Sequence, residues 1–148
     1  GDVHDQGAAL LGGVSGHAGL FAGANDIAIF MQMLLQKGYY GGEQILDSAV
    51  VLSFTKVQFP LNDNRRGIGF DKPPLEYEEN GPTCESASPE SFGHSGFTGT
   101  YAWADPASGL VYVFLSNRIC PDASNNKISE MDIRTKIHQA FYDAILKK

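Results

Sequence analysis

The feature that most constrains the fold is a hairpin of two apolar strands in the last third of the sequence. Tyr101 to Ala104 and Leu110 to Leu115 flank Asp105-Pro106-Ala107-Ser108-Gly109, whose proline and glycine fit a type I turn followed by a glycine bulge. The second strand is apolar at every position instead of alternating, so both of its faces need cover. The sequence therefore predicts a sheet with a layer of structure on each side.

Helices that could supply this cover are predicted on both sides of the hairpin. Asn25 is placed to cap a helix that Gly38 ends, and its apolar positions follow helical spacing: Ile27, Phe30, Met31, Leu34 and Leu35. A second, short helix is predicted after Asp47 and runs toward Gln58.

The C-terminal segment predicts a further helix. Ser129 and Asp132 have the spacing of a capping box, and His138 lies away from the apolar stripe, where we expect it to be solvated. The stripe that would face the sheet consists of Ile133, Ile137, Ala140, Phe141, Ala144 and Ile145.

Short strands are predicted at 67–70 and 93–100, on either side of a proline-rich and glutamate-rich loop at 71–92. The fold class is therefore α+β: an antiparallel sheet of about three to five strands with packed helices, including the C-terminal helix. So small a sheet is poorly suited to burial on both faces. We expect residues 1–148 to be the C-terminal portion of one larger domain, with an open sheet edge through which it could dimerise.

Composition excludes several classes of function. The net charge is −6 with no extended basic cluster, which argues against a nucleic-acid partner. The most apolar long segment, 27–35, is far shorter than the ~20 residues that cross a bilayer, and no signal peptide is visible at the N-terminus. Cys84 and Cys120 are too few for a disulfide scaffold or a cysteine zinc site, and whether they pair is open.

The chemistry-bearing segment is Phe92-Gly93-His94-Ser95-Gly96-Phe97-Thr98-Gly99-Thr100. Its glycines indicate that something approaches the strand backbone closely. The segment resembles the third motif of the serine β-lactamase and penicillin-binding-protein superfamily, the Lys-Thr-Gly strand, in the His-x-Gly form found among class C-like esterases. The stretches at 3–5, 11–21, 65–70, 105–106 and 115–118 fit the same superfamily in order and spacing.

The resemblance implies acyl transfer through a serine ester, with an ester, a β-lactam or a cell-wall-type amide as substrate. His94 would take the place of the strand lysine as a catalytic group, and the amide of Phe97 would form half of the oxyanion hole. Ser95, Gly96 and Thr98 would contact substrate. We expect no cofactor and no metal, and the superfamily's habit suggests a periplasmic or secreted location.

The sequence departs from the superfamily at the reactive centre, because the Ser-x-x-Lys and Tyr-x-Asn motifs belong ahead of Val3. A literal match, Ser53-Phe54-Thr55-Lys56, does occur, but 11 serines and 7 lysines in 148 residues give about one half such match by chance. It also falls late in the second predicted helix, away from the free N–H groups at a helix start. We therefore expect the isolated chain to be inactive.

Other interpretations stay open at this stage. His4, Asp5 and His17 are metal-ligand residue types without a helix-fixed spacing. A non-catalytic binding module derived from the same fold is the alternative to an enzyme. A parent protein in which this segment follows a family-three glycoside hydrolase, a β-N-acetylglucosaminidase, is a further alternative suggested by resemblance.

Overall fold

The computed structural model describes residues 1–62 and 64–146, which form helices packed on a small antiparallel sheet. In chain order the elements are α1 (Gln6–Leu10), α2 (Ala24–Leu35), β1 (Tyr39–Tyr40), β2 (Glu43–Gln44), α3 (Ser48–Thr55), β3 (Phe92–Ser95), β4 (Tyr101–Asp105), β5 (Leu110–Phe114), α4 (Lys127–Glu130) and α5 (Ile133–Leu146). The α+β class with a C-terminal helix is confirmed.

The main sheet has the order β3-β4-β5, and every pairing in it is antiparallel. Trp103 lies at its centre, opposite Gly93 on one side and Tyr112 on the other. The predicted hairpin of β4 and β5 is confirmed. The strand predicted at 93–100 is shorter, because the chain turns after Ser95, with Gly99 in the left-handed region at φ +101°.

The strand predicted at 67–70 is wrong. Ile68 and Gly69 form a bend, and the next residue to pair with the sheet is Asp71, through backbone bonds in both directions with Gly93 at 2.7 and 3.1 Å. The pattern Gly-Ile-Gly-Phe resembled a strand, but Gly69 adopts φ +76°, which interrupts extended backbone.

Helix α2 covers one face of the sheet. Its buried residues Met31, Met33 and Leu34 share a core with Phe92 and Ala104. The predicted cap at Asn25 is wrong: Gly23 is the N-cap, and the Asp26 carboxylate accepts its N–H at 3.2 Å. The helix ends before Gly38, which has φ +88° as its role as a stop requires. Helix α3 begins after Asp47 as predicted, since the Asp47 carboxylate accepts the amide of Ala49 at 2.7 Å, but it ends at Thr55.

Helix α5 packs on the other face through aromatic side chains, whereas Ile137 and Ile145 of the predicted stripe are exposed. His138 is 1% exposed and stacks on Tyr112 with ring centroids 4.6 Å apart. The expectation of a solvated His138 is therefore wrong. Tyr101, Trp103 and Tyr112 give this face of the sheet flat aromatic surfaces that accept an imidazole ring. Burial lowers the pKa of His138 to about 4.

The capping box predicted from Ser129 to Asp132 is also wrong. The short helix α4 occupies these positions, and Asp132 breaks the helical path with φ +54° before α5 starts at Ile133. The Asp132 carboxylate instead accepts the amide of Asn80 at 3.1 Å. Its side chain therefore ties the 71–92 loop to the start of α5.

The 71–92 loop is anchored to the sheet at Asp105, a carboxylate that is 1% exposed. Its oxygens accept the hydroxyls of Ser88 and Tyr142, both at 2.5 Å. Burial acts to raise the pKa of Asp105, but these hydrogen bonds outweigh it and the pKa is lowered. Elsewhere in the described chain, Cys84 is buried and Cys120 exposed, both as free thiols, and no described helix has the length and apolarity to cross a membrane.

Candidate active site

A wide groove of about 990 Å³ opens beside the end of β3. Its lining comes from residues 2–7 and 17–22, from the turn after β3, and from 115–119. Four of the five predicted site residues line it: His94, Gly96, Phe97 and Thr98. Ser95 lies on β3 but not among the lining residues, so its contact with substrate stays a prediction.

Both ring nitrogens of His94 have a hydrogen-bond partner. Nε2 lies 2.9 Å from Nη1 of Arg66, and a guanidinium can only donate, so Nε2 is the acceptor. Nδ1 lies 2.7 Å from the carbonyl oxygen of Ser95, which can only accept, so Nδ1 carries the proton. The imidazole is therefore neutral, and the positive charge at this end of β3 belongs to Arg66.

Arg66 is held at β3 by a buried carboxylate. Asp71 is 7% exposed and pairs with Arg65 at 2.9 Å and with Arg66 at 3.4 Å. Because Asp71 is also bonded through its backbone to Gly93, next to His94, it fixes the guanidinium against the strand. Arg66 was missed as a site residue in the sequence, although it lies in the stretch 65–70 that carried part of the family resemblance.

Arg118 fixes the turn that follows β3. Its Nε donates to the carbonyl of Phe97 at 2.7 Å, and its guanidinium carbon lies 4.4 Å from the centre of the Phe97 ring. Its backbone amide donates to the carbonyl of Thr98 at 2.9 Å. His4 stacks on the same ring, with centroids 5.5 Å apart. Phe97 is thereby held firmly although it is 66% exposed.

The amide of Phe97 is left without a partner by this arrangement. Within the described residues its N–H donates to no protein acceptor, whereas the neighbouring amides of Gly96 and Gly99 are bonded within the turn at 2.8 and 3.0 Å. A rigid, unpaired N–H beside a groove is the kind of donor that stabilises a developing oxyanion. The arrangement is thus compatible with the role predicted for Phe97.

The glycines of this segment indicated that some group approaches its backbone closely. In the structure the approaching groups belong to the chain itself. A side chain at Gly93 would meet the ring of Trp103 and the carbonyl of Ala102. At Gly99 it would meet the hydroxyl of Ser116, which donates to the Gly99 carbonyl at 2.9 Å. These glycines are therefore explained by packing within the sheet and the turn.

Asp5 and His17, which also line the groove, hold the N-terminal segment together. Asp5 Oδ1 accepts the amide of Ala8 at 2.8 Å as the cap of α1, and it lies 2.9 Å from Nε2 of His17. The bond from Ala8 and the one from His17 lower the pKa of Asp5. No group of three histidine, cysteine, aspartate or glutamate side chains within residues 1–62 and 64–146 is placed to hold a metal ion.

The Ser53-x-x-Lys56 match lies away from the groove. Ser53 is in the second half of α3 and Lys56 follows its end. Neither residue lines the groove that contains His94 and Phe97. The interpretation of this match as a chance occurrence is consistent with that placement.

An antiparallel sheet between helical layers, with a His-x-Gly turn beside an open groove, defines a serine-hydrolase-like fold. The chain belongs to the β-lactamase family, whose sequence model matches residues 1–129. The resemblance to the serine β-lactamase and penicillin-binding-protein superfamily is thereby confirmed.

Its relatives include a Salmonella agona (strain SL483) protein named "Putative D-alanyl-D-alanine carboxypeptidase", 38% identical over 136 residues that cover 87% of this chain and 29% of the relative. A Salmonella typhi protein of the same name is 37% identical with the same coverage. The chain thus spans about 29% of the length of these curated relatives. A β-lactamase structure from Mycobacterium bovis shares the fold, with a TM-score of 0.67 and 23% identity over 86% of this chain and 46% of that one.

Proposed function

We propose that this chain supplies the substrate-holding wall of a serine hydrolase that cleaves a cell-wall-type D-alanyl-D-alanine amide through an acyl-serine. The observation that carries the proposal is the hydrogen bond between the Arg66 cation and His94, a residue that lines the same groove as the unpaired amide of Phe97. The printed name of the Salmonella relatives supports the substrate class.

Each of these groups has a role in the proposed reaction. The Arg66 guanidinium binds the terminal carboxylate of the peptide, because it is a positive charge held against His94 on β3. Neutral His94 orients that guanidinium and lines the pocket without adding a second positive charge. The Phe97 N–H donates to the scissile carbonyl oxygen as negative charge develops on it. Esters and β-lactams present a similar acyl carbon, so the same groups would bind them.

The attacking hydroxyl and its base, in this proposal, belong to a part of the protein outside residues 1–148. Ser53 is a poor candidate because it lies within α3, away from the groove. A helix start would supply free N–H groups to the reacting centre, and Ser53 is not at one. The isolated chain should therefore bind a substrate analogue without turning it over.

The location that suits this substrate is the periplasm or the cell surface, and we propose that the protein acts there. A non-catalytic module would use the same groove for binding alone. The fusion to a family-three glycoside hydrolase and the dimerisation through a sheet edge stay predictions.

Binding of a peptide ending in D-alanyl-D-alanine to the isolated chain tests the proposal by calorimetry. The same peptide with an amidated C-terminus serves as the matched ligand. We expect the free carboxylate to bind at least about tenfold more tightly, and Arg66→Gln to remove that preference. Lys127→Gln removes an equal charge from α4 and should leave the preference for the free carboxylate unchanged. Equal binding of both peptides to the unmodified chain would refute the proposed carboxylate role.

Turnover is tested separately with a fluorescent penicillin. We expect the isolated chain to remain unlabelled and the same segment within a longer native protein to direct labelling to a serine outside it. Covalent labelling of Ser53 in the isolated chain would refute the placement of the nucleophile.

A further inference from the structure

A second, smaller cavity of about 440 Å³ lies between the end of α2, helix α3 and the residues that lead into β3. It shares no lining residue with the groove at His94. Buried Leu34, Val51 and Phe92 belong to its lining, with half-exposed Leu52 also lining it. Its size and apolar lining are those of a site for one small ligand.

The charged groups at this cavity are mostly positive. Lys37, Lys56 and Lys72 line it, and Glu90 is the one acidic residue among the lining residues. The chain as a whole carries a net charge of −6, so this concentration of lysines runs against the general charge. The local field therefore favours an anionic ligand.

Lys72 is the unusual member of this set because it is 4% exposed. Its Nζ donates to the backbone carbonyl of Glu90 at 2.9 Å. An ammonium has three N–H donors, and this carbonyl is the one acceptor that Nζ reaches within the described residues. Burying a charge costs least free energy when all of its N–H donors have acceptors. Within the described residues the Lys72 ammonium has one acceptor for three donors, so it can bond to a ligand as well.

The titration of Lys72 agrees with this description. Burial lowers its pKa to about 8, and the negative charges of Glu90 and Asp105 oppose that shift only in part. An anion next to Nζ would favour the charged form and offset the loss of water.

We propose that this cavity binds a single-chain aliphatic carboxylate, with the chain on the apolar lining and the carboxylate on Lys72 Nζ. Exposed Lys56, at the end of α3, assists from the solvent side. This is a binding site additional to the proposed hydrolase groove, and it does not depend on that function. The carboxylate supplies acceptors to the ammonium, and the alkyl chain covers apolar surface that is open within the described residues.

Calorimetric titration of the chain with sodium decanoate, below its micelle-forming concentration, tests the proposal. We expect saturable binding of one decanoate per chain, weakening by about fourfold for each methylene removed in the series to octanoate and hexanoate. Decan-1-ol, which keeps the chain and lacks the charge, should bind at least about tenfold more weakly. Decyltrimethylammonium should not compete.

Variants of the chain locate the anion. Lys72→Met should weaken decanoate binding at least about tenfold and remove the preference over decan-1-ol. Lys56→Met should weaken it by only about twofold to fivefold, because exposed ion pairs contribute little. Lys136→Met, on α5 and outside the cavity, is the charge-matched control and should leave binding unchanged.

Several results would overturn the proposal. They are the absence of saturable decanoate binding, equal affinity for decan-1-ol, and unchanged affinity in Lys72→Met. If Lys72→Met does not fold, as judged by circular dichroism, the comparison of decanoate, decan-1-ol and decyltrimethylammonium on the unmodified chain decides. Equal binding of all three ligands would mean that the cavity is plain apolar surface suited to protein contact.

Discussion

The Nη1 atom of Arg66 lies 2.9 Å from Nε2 of His94, although 28 residues separate the two in sequence. This hydrogen bond places the Arg66 cation beside β3. His94 takes the sequence position of a lysine, yet its two partners require a neutral ring, and the cation comes from a different segment. The substrate-binding charge of the proposed site therefore depends on how 65–71 packs against β3.

The tautomer of His94 provides a direct check of this relationship. We expect two-bond ¹H–¹⁵N correlation spectra at neutral pH to show a neutral His94 ring with its proton on Nδ1, because Arg66 occupies Nε2. Arg66→Met frees Nε2 and should convert a measurable fraction of the ring to the other tautomer. Lys127→Met, which removes a charge from α4, should leave the His94 signals unchanged. A predominantly Nε2-protonated ring in the unmodified chain would contradict the structure.

Removal of Arg118 should loosen the turn after β3. Its guanidinium bonds to the Phe97 carbonyl and also reaches the carbonyls of Ala123 and Asn125 at 3.0 and 3.1 Å. In Arg118→Ala, hydrogen exchange at the amides of Gly96 and Gly99 should accelerate by at least about tenfold relative to the amides of β4. Arg118→Lys keeps the positive charge but lacks the planar guanidinium with its several donors, so it should give an intermediate effect. Equal acceleration throughout the sheet would indicate general destabilisation.

His138 should make the protein less stable in mild acid. Its pKa is about 4 in the folded chain against an ordinary value of 6.5, so the unfolded chain binds the proton more readily between these values. The free energy of unfolding should be highest above pH 6.5 and fall by of order 3 kcal/mol as the pH drops to about 4. His138→Phe keeps an aromatic ring on Tyr112. Its free energy of unfolding, measured by urea titration, should vary less with pH between 4 and 6.5. An unchanged slope in His138→Phe would assign the acid sensitivity to other groups.

The bond between Tyr142 and Asp105 should matter more for stability than an ordinary hydrogen bond. Tyr142→Phe leaves the ring in place and removes one donor from a buried carboxylate, which we expect to cost about 1.5–3 kcal/mol at pH 7. The lowered pKa of Asp105 means that this stabilisation is present above about pH 4 and is lost as the pH falls through the folded value. Urea unfolding of both proteins at pH 7 and pH 3 measures it. Tyr39→Phe, at a half-exposed tyrosine, is the matched control.

The elements that sequence predicted well are those fixed by short-range chemistry. The β4–β5 hairpin depends on its own turn residues, and α3 on the Asp47 cap, so local patterns sufficed. The capping box failed because Asp132 turns to the left-handed region and bonds to Asn80, which lies 52 residues away in sequence. The prediction of a solvated His138 failed because its neighbours on the sheet, and not its own polarity, determine its burial.

Some of the residues that line the candidate groove could be predicted for the same reason. The motif strand and its turn are contiguous in sequence, so His94, Gly96, Phe97 and Thr98 could be assigned together. Arg66 and Arg118 reach this segment from 28 and 21 residues away, respectively, and no local pattern marks a guanidinium that packs across such a distance. The signal in the sequence that points to them is their position within the family-like stretches 65–70 and 115–118.

Chemical-shift mapping with a peptide ending in D-alanyl-D-alanine is the most direct test of the proposed substrate wall. The largest changes should fall on His94, Gly96, Phe97 and Thr98 and on the guanidinium of Arg66, and the amidated peptide should produce them only weakly. Changes confined to other surfaces, or none at saturating peptide, would contradict the assignment of this groove.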